Sequence, residues 1–531
     1  VFQNNLSRVL LAGMVLVSPL SGAGEEVWSL AEQNGDFARK TFIHCRDYVH
    51  GWLAHADPES GLIPRNLDCS RDFWNGKDAA ADNYAFMVLA SSFTDRDLFE
   101  GKMRDMLEAE TRLTSRLDNL VDDYSFSRKG WRIGEPDLVR MTFSSSEYVK
   151  DGLMPLTEWL GKSPWSERMI GLVDSILDHA SVDTAVGILP ATDFEVGGEL
   201  MQVLARLFWM TGNERYREFA FRYADYFLFH DHPTRREELS LDDHGCEVIG
   251  GLSEVYYLAA KTDADRHKKY RAPMHEMLDR ILEVGRDENG LFHKSINPVT
   301  GTVLEEELTD NWGYDYNAYL TVAEVDDHEP YLEAVRFVLE NVHNQTGYPW
   351  EGGSADGYAD SIESGINLLN RIPVNSGFEW VEHETLQMLE KQDDDGIIAG
   401  WHGDGNYTRT AIMVALWKSQ GCQIQPWRAD VSMGAVEEDG NLYIAINSRW
   451  PWEGELLFDR PRHKQYLGIP TDYARLNQFP EWFTVEQGAT YQVTIKQGER
   501  KDKKTMSGSS LIKGLPIALD KDGMRIRVYQ N

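Results

Sequence analysis

The residues best suited to chemistry cluster in six short stretches. They read DNY at Asp82–Tyr84, TDFEVGGE at Thr192–Glu199, SLDDHGCE at Ser240–Glu247, TDNWGYDYN at Thr309–Asn317, DGYADSIE at Asp356–Glu363 and GWHGDGNYTRT at Gly400–Thr410. Every stretch carries a carboxylate, and several add an amide, a histidine or an aromatic ring. Asp360 and Glu363 are three apart, so on a helix they share one face, with the small Ser361, Ser364 and Gly365 around them. Acids also favour the first turn of a helix, where free N–H groups and the dipole welcome them, so a simple cap is the competing reading of Asp360. Glu363, one turn further in, fits that reading less well. Asp315 stands between Tyr314 and Tyr316, and His244 adds a titrating group among acids. Paired carboxylates supply general acid, base or nucleophile.

Asp360, Glu363 and Asp315 are therefore the candidate catalytic residues, with His244 orienting or assisting. Asp82, Asn83, Glu195, Glu199, Asp243, Glu247, Asn317, His402, Asp404, Asn406 and Arg409 are candidates for binding substrate hydroxyls or charges. Trp312, Tyr314, Trp401 and Tyr407 could stack on sugar rings, and Tyr316 is a further candidate for contacting substrate. Either Glu195 or Glu199 could instead only pair with Arg206, and Asp242 or Asp243 could only cap a helix.

These stretches recur because the elements that carry them recur. Amphipathic helices are expected near 33–55, 100–120, 165–181, 213–230, 263–286, 329–343 and 376–391. The best marked has Tyr216, Phe219, Ala220, Tyr223 and Phe227 at helical spacing. Each is followed by a Gly-, Asp-, Asn- or Pro-rich loop and then by a helix richer in small and apolar residues, beginning near Asp82, Ser144, Phe194, Asp243, Trp312, Ala359 and Asn406. The period of roughly 50 residues signals repeated supersecondary units. Charged outer helices alternating with small-residue inner ones predict a closed α/α toroid of six or seven hairpins, its polar helix mouths gathered at one end; an open solenoid is the alternative. Gly197-Gly198 and Gly250-Gly251 interrupt two inner helices, which suggests close packing or a ligand near the backbone. From residue 425 onward, period-two alternation between Gly- and Asp-rich turns predicts a small antiparallel β domain, sandwich-like, over 425–531.

The chain has 531 residues, 42% of them hydrophobic, with 16 Trp, 22 Tyr and 21 Phe, enough for more than one domain. Its formal net charge of -33 argues against a nucleic-acid partner. Arg8, the apolar run VLLAGMVLVSPL and the small SGAG before Glu25 read as a secretory signal peptide over about residues 1–24, implying a secreted or periplasmic protein without stable membrane insertion. The four cysteines show no metal-ligand spacing, though a Cys45–Cys69 bridge is conceivable. WHGDGN lacks the third glycine of a dinucleotide fingerprint, and no Walker motif or GxSxG elbow occurs, so neither metal nor cofactor is expected. Self-association stays open.

The stretches SLDDHGCEVIGGLSEVY, DNWGYDYNAY, GYADSIESGINLLNRIPV and GWHGDGNYTRTAIMVALWK resemble exported bacterial proteins of the six-hairpin glycosidase type, and most closely glycoside hydrolase family 154, over about residues 30–425. That resemblance implies release of terminal β-linked glucuronic acid from an oligo- or polysaccharide. The acidic balance does not favour such a substrate, so a uronate would need Arg65, Arg132, Arg409, His244 or His402 at the cavity. Three other readings compete: a polysaccharide lyase using Tyr314, Tyr316, His244 or His402 as base, an unsaturated glucuronyl hydrolase, and a glycan-binding protein without turnover.

Overall fold

The computed structural model describes residues 23–398, 405–520 and 523–531. Of the expected signal peptide, residues 1–22 lie outside these, as do Trp401, His402 and Asp404.

Fourteen principal helices pair into seven hairpins among the described residues. They are α1–α2 (Ala23–Ala54, Ala85–Thr94), α3–α4 (Lys102–Thr114, Leu138–Glu147), α5–α6 (Pro164–Asp178, Phe194–Thr211) and α7–α8 (Glu214–Phe229, Cys246–Thr262), then α9–α10 (Ala264–Val284, Trp312–Asp326), α11–α12 (Glu329–Asn341, Ala355–Arg371) and α13–α14 (Asn375–Leu389, Gly405–Lys418). Even-numbered helices form the inner ring. Each packs on the next, and α14 packs back on α2 and α1, so the ring closes. This is the α/α toroid, with seven hairpins rather than six.

The amphipathic periodicity decides which helices lie outside. On α7, Tyr216, Ala220, Tyr223 and Phe227 are buried while the charged residues between them stay in water. Inner helices need the opposite property, because they are covered on nearly all sides. The paired glycines of α6 and α8 serve contact between backbones: a Cβ on Gly198 would lie 2.3 Å from the Glu247 carbonyl carbon, and one on Gly251 2.5 Å from the Gly198 oxygen. The resulting closeness places Glu199 and Glu247 side by side.

Two inner helices are widened into π-helix, over Gly76–Tyr84 at the mouth of α2 and over Tyr148–Leu153 in mid-course after α4, and these widened turns pack on each other. The second leads into Met154–Leu160. A π-helical turn is uncommon and often marks a functional site.

The C-terminal part contains two antiparallel sheets. Its strands are β1 (Gln423–Gln425), β2 (Val431–Glu438), β3 (Asn441–Ser448), β4 (Trp452–Leu457), β5 (Thr490–Gln497), β6 (Arg500–Ser507), β7 (Leu515–Leu519) and β8 (Met524–Gln530). One sheet has the order β2-β3-β8-β5-β6 and the other β1-β4-β7, with a shared core that includes Ile444, Leu456, Ile517 and Ile526. Strand β2 lies on α1, where Gly35 and Gly434 meet backbone to backbone and Asn34 donates to the Ala435 carbonyl at 2.9 Å.

Between β4 and β5 the chain leaves the sheets and crosses the far end of the toroid. Residues 471–481 touch α4's continuation, α6, α8, α10 and α12. Arg475 pairs with Glu158 at 3.0 Å, Arg206 donates to the Leu476 carbonyl at 2.9 Å and Tyr473 donates to Glu254 at 2.7 Å. Thr321 donates to the Ala474 carbonyl at 2.7 Å, and Arg371 pairs with Asp472 at 2.8 Å. The ring is thus closed at the C-terminal end of its inner helices. The four cysteines are free thiols, so no Cys45–Cys69 bridge forms. No described helix is long and apolar enough to cross a membrane.

Candidate active site

The N-terminal parts of the inner helices and the widened turn after α4 carry two groups of charged side chains. The first sits on the widened turn after α4. Lys150, buried, pairs with Asp151 at 2.7 Å and with Glu247, which also accepts from Gln202 at 2.6 Å. Glu147, Asp151 and Glu199 each place an oxygen within 4.8 Å of the others. Burial, then the charges of Glu199 and Asp151, push the Glu147 carboxyl well above the usual range. Burial alone would also raise Asp151, but Lys150 and the hydrogen bond with Glu147 outweigh it and hold that carboxyl low. The two shifts are opposed, so Glu147 holds a proton more tightly than Asp151 does.

The second group sits on α12 and α14. Ser354 caps α12 by accepting from the Gly357 N–H, which frees Asp360 from that task. Asp360 accepts hydrogen bonds from Asn311 Nδ2 at 3.1 Å, Tyr314 Oη at 3.2 Å and an Arg409 guanidinium N–H at 3.0 Å. Arg409 also pairs with fully buried Glu363 at 2.5 Å and donates to Tyr314 Oη at 3.0 Å. Burial, then the neighbouring Asp356 charge, lift the Asp360 carboxyl well above its ordinary value despite Arg409. In the ring, α4 and α12 are three helices apart one way and four the other, so Asp151 and Asp360 stand on opposite walls. Each keeps 15% of its side chain accessible.

At the rim, His244 has a φ of +65° and lies between Glu195 Oε1 (2.6 Å from Nδ1) and Asp243 Oδ2 (3.0 Å from Nε2). Burial would lower its pKa, but these two carboxylates push it up to about 11, so the ring is a fixed imidazolium at neutral pH.

Several sequence candidates occupy other places. Trp312 donates to Ser361 at 3.0 Å and packs edge-on against Trp380. Tyr316 donates to the Gly290 carbonyl at 2.6 Å beside Phe292. Tyr407 stacks on Tyr48 and contacts His44, and Asn83 accepts from Tyr48 Oη at 2.6 Å. These four are fully buried wall residues, not platforms open to a ligand. Asp315 and Asn317 are also fully buried, with side-chain polar atoms lacking hydrogen-bond partners. Asn406 donates to Asp356 at 2.8 Å. Arg206 pairs with Glu254 and Glu158, not with Glu195 or Glu199. Of the cations proposed for a uronate, Arg65 pairs with Asp78 and Arg132 with Asp123.

Glu147, Lys150 and Asp151 escaped the sequence reading, although SSSEYVKDG places two acids four apart; this inner helix starts at Leu138 and not near Ser144, so the two acids lie in its middle. Two oxygen-rich groups offer cation geometry here, Glu147–Asp151–Glu199 and Glu147–Glu195–His244. In both, a protein cation, Lys150 or His244, already supplies positive charge.

The crowding has a pH signature. Asp82, Glu147, Glu199, Asp310, Asp315, Asp360 and Glu363 are all raised, first by burial. Above the unfolded carboxyl values near pH 4 the folded chain holds more protons than the unfolded one, so stability falls as pH rises. His244 acts in the same direction above about pH 6.5. Lowered groups such as Asp151 lose their contribution only as pH falls below about 4. The melting temperature should therefore be higher near pH 5 than near pH 8 by scanning calorimetry; a steady climb over that interval would contradict the assignment.

No protein-family model matches the chain, and no curated protein matches it. Among solved structures it resembles a family 76 glycoside hydrolase from a bovine Bacteroides thetaiotaomicron strain, with 13% identity, 63% of this chain and 77% of that one covered, and a TM-score of 0.42. It also resembles an unsaturated glucuronyl hydrolase from a Bacillus species (12%, 52% and 86%, TM-score 0.37) and a cellobiose 2-epimerase from Bacillus thermoamylovorans (10%, 71% and 98%, TM-score 0.38). At these values the likenesses carry no argument about activity, which has to be read from the site.

Proposed function

We propose that the protein is an exported glycoside hydrolase that removes a terminal sugar, with Asp360 as proton donor and Asp151 as the opposing carboxylate that attacks the anomeric carbon or activates water. One observation carries this reading: two carboxyls, each with 15% of its side chain accessible, sit on inner elements three helices apart in the ring with their affinities for protons pushed in opposite directions, the arrangement that divides acid from base. Closure of the far end by residues 471–481 supports action at a chain end, because a threading polymer would have no exit. The likeness to glycoside hydrolase family 154 points to β-linked glucuronic acid, and the His244 imidazolium at the rim is the group suited to its carboxylate.

Elimination is less well supported. A lyase base must lose its proton readily, but Tyr314 is pushed well above its ordinary value by burial and by Asp360 and Glu363. His244 is already protonated, and Tyr316 faces the core.

The test is incubation with aryl β-glucuronide, aryl β-glucoside and uronate-containing oligosaccharides. The expected result is release of free glucuronic acid with no ultraviolet absorbance from a new conjugated double bond. Rising absorbance, or silence on every substrate, would overturn the reading.

A further inference from the structure

The segment that closes the toroid does more than seal it. At its tip Leu476 packs with Cys246 and Tyr314, and a Cβ on Gly250 would lie 2.5 Å from a Leu476 methyl carbon, so the glycine leaves room for the Leu476 side chain between the inner helices. The next residue, Asn477, is 1% exposed and adopts a left-handed φ of +56°, which turns its amide up toward the inner ring. Asn477 Nδ2 donates to Asp151 Oδ1 at 2.8 Å. The two residues are 326 positions apart.

We propose that Asn477 is a positioning residue of the catalytic centre: reaching through the toroid from the C-terminal part, it fixes the Asp151 carboxylate against Lys150 and Glu147 so that it faces the sugar. This rests on the hydrolase reading above. Asp151 Oδ1 receives both the Lys150 ammonium and the Asn477 amide, while Glu147 shares its proton with the same carboxylate. The other charged groups acting on this site are Glu199 and Glu247 from α6 and α8, Asp82 from the widened turn before α2, Asp243 from the rim, and Glu363 and Arg409 from α12 and α14. The Asn477 amide is neutral, so it orients Asp151 without adding charge to the cluster. The segment is itself rigidly held, with Arg475 on Glu158 and Tyr473 on Glu254 just before the tip. The C-terminal part is then a component of the active site rather than an appendage.

Asn477→Gly and Asn477→Asp both suit a left-handed backbone, and the glycine, which adds no charge beside Asp151 at this buried position, should keep the fold. With a glycoside that the wild type cleaves, both should lose kcat by on the order of ten- to a hundredfold with little change in KM, because a carboxylate displaced by an ångström is enough for such a loss. The acidic limb of the kcat profile should move upward in pH in Asn477→Gly, as Asp151 loses a donor to its ionised form. A second readout needs no substrate: carboxyl-carbon NMR of labelled protein should show the Asp151 titration midpoint rising in Asn477→Gly. Wild-type kcat, pH profile and Asp151 titration in both variants, at an unchanged melting temperature, would overturn the proposal. A displaced titration midpoint in a protein that cleaves no glycoside would instead leave Asn477 as the holder of Asp151 and refute the hydrolase reading.

Discussion

Asp151→Asn should lower kcat by about a thousandfold, since a positioned base or nucleophile contributes on the order of 10²–10⁴. The substitution is nearly isosteric. It keeps an oxygen for the Glu147 hydroxyl and the Asn477 amide but removes the negative charge that Lys150 holds ionised. Asp360→Asn should differ in kind. If Asp360 protonates the departing oxygen, its loss should be severe for a sugar or alkyl leaving group and mild for a nitrophenolate, which needs no proton. Asp151→Asn should be equally crippled on both, and Asp151→Ala should recover part of its rate when formate or azide is supplied to the vacated space. Steady-state rates for the two leaving-group classes decide the matter. Equal sensitivity of both variants to the leaving group would reverse or void the assignment of roles.

The toroid could be read from sequence because its physics is periodic. Outer helices need one apolar stripe, inner helices need small and apolar residues all round, and both patterns repeat at a fixed interval. Much of the site was legible for the same reason, since helix mouths carry carboxylates without an obvious need for all of them as caps. The errors have particular causes. Trp312, Tyr316 and Tyr319 are spaced i, i+4, i+7, the stripe of a packed wall, whereas Tyr314 points to the charged centre from another face. Residue type suggested sugar stacking for Trp312, but helical phase places it in the wall with Tyr316 and Tyr319. Glu147 and Asp151 were hidden because a π-helical turn re-aims its side chains and leaves no mark in a 3.6-residue period. Asn477 could not be found locally at all. It belongs to a stretch between strands, and its partner is 326 residues away.

On the reading proposed above, recognition of a glucuronate is the step that makes the greatest demand on the geometry. Among the described residues, the two cations at the centre already have carboxylate partners: Lys150 holds Asp151 and Glu247, and Arg409 holds Glu363 and Asp360. An anionic sugar cannot be met by removing these cations from their partners without exposing buried charge. His244 is different because it stands half open at the rim. Its imidazolium can turn a ring N–H from Asp243 toward a substrate carboxylate while Glu195 keeps the other.

Arg409→Leu should be the most destabilising single change at the site. Arg409 is 2% exposed, and its removal leaves Glu363, 0% exposed, without the guanidinium 2.5 Å away. Breaking one side of a buried pair costs about 3–5 kcal/mol, because the surviving charge has neither water nor partner. Glu363 can escape part of this by taking up a proton, so the loss should shrink as the pH is lowered. The double variant Arg409→Met with Glu363→Gln removes both charges and should recover much of the stability lost by Arg409→Leu, which denaturant unfolding of the purified proteins measures. Turnover should not recover with it. Asp360 and Tyr314 would still lack the N–H that orients them, so the acid would be present but misplaced. A double variant as unstable as the single one would show that Arg409 acts through packing against Phe86 rather than through its charge. A double variant that regains full activity would remove Arg409 from the machinery that aims Asp360.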